Sequence, residues 1–355
     1  MNTTTSQATV SIEKLLGIPE DQPERLFERD DLKRQYRQLL KQWHPDVNAS
    51  PRASEAVVKI GCLYEKAVAK DSAGLWERPN YRLFIGNDNI KREIFFRVKR
   101  SFELGEILIG DTTVTYLLNE EYQDLYQNAK EMMSQIRFAD EAMKKTIEPF
   151  TPHLKASFST LPSIERPTQH VLVFIKKKSE LLLSDVINHF NQELDLKHAA
   201  WILSCLYNLS CWIAWSKISH QSLSPENIFI SPEDHSVSVI GGWWYAKSFG
   251  ERIRFIPGRT AMVLPSDVLR NKIADPRTDL TLIRRIGREM LGDLPGRSSG
   301  APKSLLTWLH GATAGDAFAE YKTWSTVREA TLGPRKFTPL VLSAEDLYPD
   351  MPIFS

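Results

Sequence analysis

A histidine, a proline and an aspartate follow one another at residues 44–46, directly after a stretch with helical periodicity. The proline fixes its own backbone torsion and pushes the preceding residue out of the helical region, so a helix must end at His44. His44 and Asp46 are therefore expected on a short, rigid and exposed turn. A polar turn of this kind suits docking to a partner protein, because its side chains are held in place before contact.

The helix that leads into this turn has one apolar stripe and one basic face. Between Asp31 and Trp43 the apolar stripe recurs with helical spacing at Leu32, Tyr36, Leu39, Leu40 and Trp43. The other face carries four cations, Lys33, Arg34, Arg37 and Lys41. A basic face beside a rigid turn suits an acidic partner surface, because electrostatic attraction guides the encounter.

A second helix is expected after the turn. Ser50 and Pro51 look like an N-cap followed by a proline at the first helical position. The apolar positions that follow are Val57, Ile60 and Tyr64, with Ala67 or Val68. Two antiparallel helices joined by a short loop form a helical hairpin.

This pattern resembles the J domain of DnaJ-type co-chaperones over residues 11–70. Leu15-Leu16-Gly17-Ile18 occupies the first-helix position, and the core positions of the next two helices are Tyr36, Leu40, Trp43, Ile60 and Tyr64. The insert after Gly17, with Pro19 and Pro23, is longer than usual. The resemblance implies that a DnaK-type chaperone contacts the basic face and His44-Pro45-Asp46, and that its ATP hydrolysis is stimulated there.

A second motif runs from His220 to Asn227 and reads HQSLSPEN. It resembles the protein-kinase catalytic loop H-R-D-L-x-x-x-N, and the similarity extends over residues 95–345. The resemblance implies an α+β bilobal domain in which Asp279 holds the backbone of this loop and Gly287 packs closely. The chain is also similar to bacterial and phage-type proteins that join a J domain to a kinase-like module.

The chemistry of a kinase is missing from this motif. Ser222 stands where the catalytic aspartate belongs, and Ser224 replaces the lysine that follows. The metal-binding aspartate aligns with Gly241 or Gly242, which have no ligand, and Asn227 alone is a poor magnesium ligand. Phosphoryl transfer depends on positioning and on metal neutralisation of charge, so we expect a pseudokinase without a metal site.

Few of the residues that bind the nucleotide in a kinase are present. Only Gly110 represents the glycine-rich loop, and Asp111 beside it would repel phosphates. Lys130 paired with Glu141 is the candidate ATP anchor, and the alternative is that both lie on one solvated helix. Residues 176–178, three lysines, are read as a solvated turn. We expect no cofactor, with ATP binding as the alternative.

Composition bounds the remaining possibilities. The chain has 355 residues and a net charge of +1, which argues against a general nucleic-acid binder. Its 3 cysteines form no disulfide framework or zinc motif, and the N-terminus is not a secretory signal. The apolar stretch 199–215 is read as a buried helix rather than a membrane span. We therefore expect a cytoplasmic protein.

The expected organisation is multi-domain, with an all-α J domain before the kinase-like domain. Its parts are a J domain (11–70), a linker (71–80), a degenerate N-lobe (81–178), a helical C-lobe (179–330) and an extended tail (331–355). Strands are predicted at 95–98, 106–109, 114–118 and 170–175, and a helical segment at 131–147. Trp243 and Trp244 either fill the space that a nucleotide would occupy or belong to the core, and at least one of them is expected in the core.

Three functions fit these observations. The first is a binding module, in which the J domain recruits a DnaK-type chaperone and the pseudokinase binds an unknown protein client. The second is an atypical kinase whose missing carboxylates are replaced by Asp234, Glu233 or Asp267. The third is a purely structural interaction protein in which both domains are relics.

Overall fold

The computed structural model describes residues 11–73, 76, 80–162, 167–295, 299–334 and 336–348. The chain divides into two compact units. The first holds the described parts of Met1–Lys99 and Ser159–Gln169, and the second those of Arg100–Phe158 and His170–Tyr348. Each unit is described by itself.

The first unit begins with three helices around one core. These are α1 (Ile12–Leu16), α2 (Leu32–Trp43) and α3 (Ala53–Ser72), with two 3-10 turns at Pro23–Arg25 and Arg29–Asp31. The apolar stripe predicted for α2 faces this core, where Leu39 and Trp43 are buried. Tyr36 of α2 stacks on Tyr64 of α3 with ring centroids 4.1 Å apart. The predicted hairpin is thus present, and the insert after Gly17 adds buried Leu26 and Phe27 to the same core.

The start of α3 differs from the sequence prediction. Ser50 and Pro51 precede the helix rather than cap it, because α3 begins at Ala53 with Arg52 as its N-cap residue. The Ala53 N–H donates to the Ser50 carbonyl at 3.0 Å, so a separate turn comes first. Pro51 therefore lies in this turn, before the first residue of the helix.

A β-hairpin completes the first unit. Strands β1 (Tyr81–Ile85) and β2 (Lys91–Phe95) pair antiparallel. Of the linker predicted at 71–80, Asp71 and Ser72 are helical because α3 continues to Ser72, which corrects the predicted boundary. Residues 74–75 and 77–79 of that linker lie outside the described residues.

The second unit contains most of a five-stranded sheet. Its strands are β3 (Val98–Phe102), β4 (Gly105–Ile109), β5 (Thr113–Asn119), β6 (His153–Ser159) and β7 (Gln169–Ile175), in the order β3-β4-β5-β7-β6. Helices α4 (Gln123–Ser134) and α5 (Glu141–Ile147) lie between β5 and β6 in the chain. The predicted strands 106–109, 114–118 and 170–175 fall inside β4, β5 and β7.

Two local predictions were wrong. Residues 95–98 are not a strand, because Phe95 ends β2 and Val98 begins β3. The helical segment 131–147 is broken, because Asp140 caps a new helix by accepting the Met143 N–H at 2.7 Å. An aspartate at an N-cap satisfies a donor that the helix itself leaves free.

The rest of the second unit is mainly helical. Its helices are α6 (Leu183–His189), α7 (Leu196–Trp215), α8 (Gly258–Ala261), α9 (Ser266–Asn271), α10 (Pro276–Met290), α11 (Lys303–His310), α12 (Ala317–Leu332) and α13 (Ala344–Leu347). Short strands also occur, namely β8 (Leu181–Leu182), β9 (Ile218–Ser219), β10 (Ile228–Ser231), β11 (Ser236–Val239) and β12 (Lys247–Ser248). They form the sheets β11-β10-β8 and β12-β9.

Helix α7 is the centre of this unit, as the apolar stretch 199–215 predicted. It packs against α10 and α12. Gly287 allows close packing, because an added Cβ would lie 2.9 Å from Leu309 Cδ2 and 3.2 Å from Leu203 Cδ1. None of the helices in the described ranges is long and apolar enough to span a bilayer.

The tail departs from a fully extended strap. Helix α12 continues to Leu332, and α13 forms with a capping box from Ser343 and Asp346. Tyr348 is buried, and its hydroxyl accepts the Leu182 N–H at 3.1 Å. Residues 349–355 of the predicted tail lie outside the described residues.

Candidate functional site

The His44-Pro45-Asp46 turn lies between α2 and α3 and is exposed. The side chains of His44 and Asp46 are 53% and 86% exposed. The Asp46 N–H donates to His44 Nδ1 at 3.2 Å. Because Nδ1 accepts this bond, the neutral ring carries its proton on Nε2, which has no partner within the described chain.

Backbone hydrogen bonds hold the turn in one shape. His44 ends α2 with an extended backbone, as a residue before proline must. Its carbonyl accepts the N–H groups of Val47 and Asn48, each at 2.9 Å. In addition, the side-chain amide of Asn48 donates to the Gln42 carbonyl at 3.1 Å and connects the turn to the helix. Preorganisation of this kind lowers the entropy cost of binding.

The basic face of α2 continues from this turn. All four cations are exposed, and a shallow groove runs along them, lined by Asp30, Asp31, Leu32, Lys33, Arg34, Arg37, Gln38 and Lys41. Arg34 pairs with Asp31. Lys33, Arg37 and Lys41 make no ion pair within the described ranges, so their charge is available to a partner.

Asp279 of α10 holds the backbone of the loop that begins at His220. Its carboxylate accepts the His220 N–H at 2.8 Å and the Gln221 N–H at 2.9 Å, which is the contact that the resemblance implied for it. Burial raises the pKa of Asp279 to about 6, against the lowering effect of these hydrogen bonds. The loop is therefore fixed to α10 by a buried carboxyl group.

His220 joins the same loop to the segment after β11. Its Nε2–H donates to the Gly241 carbonyl at 3.0 Å. Burial lowers the pKa of His220 to about 3, so the ring is neutral at physiological pH. A neutral ring packed against Trp243, with centroids 5.0 Å apart, has a structural role.

The Ser222 side chain bonds inward to Asn227. The Asn227 amide donates to the Ser222 carbonyl at 2.9 Å and to its Oγ at 3.0 Å. Ser224 is buried nearby and brings no charge. Within the described chain no group of three or more His, Cys, Asp or Glu side chains could hold a metal ion.

Gly241 and Gly242 fit closely against their neighbours. Gly242 has φ +85°, and an added Cβ would lie 2.5 Å from His220 Cε1. A Cβ at Gly241 would lie 2.3 Å from the Tyr116 hydroxyl and 2.7 Å from Asn227 Oδ1. Side chains at these positions would therefore collide with the loop or with β5.

The structure does not bring Lys130 and Glu141 together. Lys130 lies on α4 with its ammonium 5.2 Å from the centroid of the Tyr126 ring, and Glu141 begins α5. The alternative, that both lie on one helix, is wrong, because α4 ends at Ser134 and α5 begins at Glu141. No ion pair joins the two residues, and their role as an ATP anchor stays a prediction.

The lysine run at 176–178 is not simply a solvated turn. Lys176 is buried, and its ammonium donates to the carbonyls of Asp111, Lys177 and Glu180 at 2.9–3.1 Å. A cation that satisfies three carbonyls ties the turn after β4 to the end of β7. Sequence periodicity could not reveal this, because backbone carbonyls carry no sequence signal.

The carboxylates considered as replacements are engaged elsewhere or exposed. Asp234 pairs with Lys177 at 2.9 Å, and Asp267 pairs with Arg277 at 2.8 Å. Glu233 is exposed. None of the three lines the cavity that borders Ser222 and Asn227.

That cavity has a volume of about 290 Å³ and lies wholly within the second unit. Trp244 and Tyr116 form part of its wall. Trp243 and Trp244 are both buried, as expected for core residues. The sequence analysis did not identify Tyr116, although it is the one aromatic residue of strand β5.

One comparison with known proteins identifies part of the chain. Residues 14–67 match the family model of the DnaJ domain. This segment is a J domain, and a J domain implies a co-chaperone role with a chaperone of the Hsp70/DnaK type. No curated protein matches the chain.

Proposed function

We propose that this protein is a J-domain co-chaperone that recruits a DnaK-type chaperone and stimulates its ATP hydrolysis. The observation that carries the proposal is the rigid, exposed His44-Pro45-Asp46 turn at the end of a basic helix. The Asp46 N–H holds the His44 ring through Nδ1, and the Asp46 carboxylate projects beside it and is exposed. A functional contact needs fixed donors and acceptors of this kind.

The basic face attracts the chaperone before the specific contact forms. Lys33, Arg37 and Lys41 attract an acidic surface on the chaperone, and this attraction raises the association rate more than the final affinity. The turn then makes the specific contact. The two roles predict different consequences for variants of the face and of the turn.

We further propose that the second unit is a kinase-like pseudokinase that binds a client protein. In protein kinases the third strand of the first lobe precedes the helix that carries the conserved glutamate. Here α4 and α5 follow β5, the third strand of the sheet, and the Asp279 anchor lies beneath the His220 loop. Covalent linkage to a J domain raises the effective concentration of chaperone at a bound client.

The decisive experiment measures steady-state ATP hydrolysis by a DnaK-type chaperone from the same cell. Wild-type protein is expected to stimulate hydrolysis, and His44→Gln is expected to abolish the stimulation. The matched control is His153→Gln, which makes the same substitution at an exposed histidine of β6. Stimulation that survives in His44→Gln, with the protein shown to be folded, would overturn the co-chaperone proposal.

A second measurement separates the pseudokinase from an atypical kinase. Thermal unfolding is followed with and without millimolar ATP and magnesium. A ligand at 100 times its dissociation constant adds about 2.7 kcal/mol to stability, so binding would raise the melting temperature clearly. We expect no shift; a magnesium-dependent shift together with phosphoryl transfer would favour the kinase.

A further inference from the structure

The cavity of the second unit has features of a ligand site that the missing kinase chemistry does not explain. It lies beside the loop positions Ser222, Ser224 and Asn227. No residue of the 176–178 run lines it. At about 290 Å³ it is near the lower limit of small-molecule pockets, which start at roughly 300 Å³.

One wall of the cavity is aromatic. Phe102, Tyr116 and Trp244 pack against each other with centroids 4.9–5.7 Å apart. Because the rings contact one another, they form a single surface rather than a cage around a cation. A surface of this kind favours a flat ring that stacks on it or meets it edge to face.

Polar groups without partners accompany this wall. The Tyr116 hydroxyl and the Trp244 ring N–H are buried and have no hydrogen-bond partner in the described part of the chain. Ser184 and Ser224 also line the cavity, and their hydroxyl groups are not among the buried atoms without a partner. A buried polar group without a partner costs about 1–3 kcal/mol, so a ligand or water that pairs with it is favoured.

The charges at the cavity leave no excess for an anion. Arg100 pairs with Asp185 at 2.9 Å, and Arg259 pairs with Glu289 and with Glu226. Glu103 accepts the Tyr245 hydroxyl at 2.8 Å. Each arginine is thus already neutralised, and a phosphate group would have to break an existing ion pair.

We propose that this cavity binds a small, uncharged aromatic or heteroaromatic compound with hydrogen-bonding groups on its edge. The ring contacts the surface of Phe102, Tyr116 and Trp244, and the edge pairs with the serine hydroxyls. The ligand differs from a nucleoside triphosphate in lacking charge and in needing no metal. All lining residues belong to the second unit, so the proposal is independent of the J domain.

The test uses the full chain and two matched pairs of probes. Indole and adenosine are uncharged, whereas indole-3-carboxylate and adenosine monophosphate carry the same rings with negative charge. Saturation-transfer NMR at millimolar probe measures binding. We expect at least one uncharged probe to bind, and to bind at least tenfold more tightly than its charged counterpart.

The site is located with a cavity-filling variant. Ser184→Phe is expected to weaken binding at least tenfold, whereas Ser266→Phe, an exposed serine of α9 outside the cavity, leaves it unchanged. Should Ser184→Phe fail to fold, Ser184→Val and nuclear Overhauser contacts from the probe to labelled Tyr116 replace it. No binding by either uncharged probe, equal binding of the charged probes, or binding that survives filling of the cavity overturns the proposal.

Discussion

His220 illustrates how a buried histidine can have only a structural role. Its ring is buried and donates to the Gly241 carbonyl, and burial lowers its pKa to about 3. In the unfolded chain a histidine takes up its proton near pH 6.5. The folded protein therefore loses stability as the pH falls from about 6.5 towards 3, because only the unfolded state gains this proton.

We expect this loss to disappear in His220→Gln. The difference in unfolding free energy between wild type and the variant should fall by about 1.4 kcal/mol for each pH unit below 6.5. Asp279, with a pKa raised to about 6, acts in the opposite direction but equally in both proteins. Urea unfolding at several pH values measures the difference, and His153→Gln serves as the control. Parallel pH profiles for wild type and His220→Gln would contradict this interpretation.

A second prediction at this scale concerns Gly242 and follows from the proposed kinase-like fold. Gly242→Asp places a side chain at φ +85° and within 2.5 Å of His220, so the change cannot restore a metal site without moving the loop. A strained backbone position costs about 1–3 kcal/mol, and the steric clash adds to this. We expect a loss of at least about 2 kcal/mol in urea unfolding and no magnesium-dependent ATP binding by thermal shift. A stable variant that binds magnesium and ATP would show that the pocket still has room for kinase chemistry.

Among the elements, a helix could be predicted where one of its faces is apolar and where a residue such as proline marks its end. The stripe of α2 and Pro45 located the helix and its end, and the apolar run 199–215 located α7. The break between α4 and α5 was not predicted. The residues on both sides of Asp140 have a helical pattern, and only the Asp140 N-cap marks the start of a new helix. Contacts such as Lys176 with three carbonyls could not be predicted, because they join backbone groups far apart in sequence.

The helical core also depends on an ion pair that no periodicity indicates. Arg284 of α10 and Glu320 of α12 are buried with atoms 2.7 Å apart, and Glu320 also accepts the Ala314 N–H. The Arg284 guanidinium lies 4.1 Å from the centroid of the Trp308 ring. The pair thus connects three helices and the loop between two of them.

We expect Arg284→Met to lower the unfolding free energy of the second unit by about 3–5 kcal/mol, because it leaves the Glu320 charge buried and alone. The double variant Arg284→Met with Glu320→Met should lose less, since neither charge remains. Arg277→Met, which breaks partly exposed ion pairs with Asp267 and Asp275, is the control and should cost about 1 kcal/mol or less. Equal losses for the single and double variants in urea unfolding would contradict the role of an unpaired charge.

For the whole molecule, the net charge of +1 makes the distribution of charge more important than its sum. A nearly neutral protein generates no strong overall field, so attraction to an acidic chaperone surface must come from a local cluster. Lys33, Arg37 and Lys41 form such a cluster beside the His44-Pro45-Asp46 turn. Lys272 of the second unit is also exposed but does not belong to this cluster.

This arrangement predicts that association with the chaperone depends on salt through one face only. Arg37→Glu should reduce the association rate at least tenfold at low ionic strength, with a smaller effect at 1 M salt, where the Debye length is about 3 Å. The control Lys272→Glu makes the same change in net charge and should leave the rate within twofold. Stopped-flow association with the DnaK-type chaperone distinguishes the two, and His44→Gln should reduce ATPase stimulation at every salt concentration. If Lys272→Glu slowed association as much as Arg37→Glu, net charge rather than the basic face would guide the encounter.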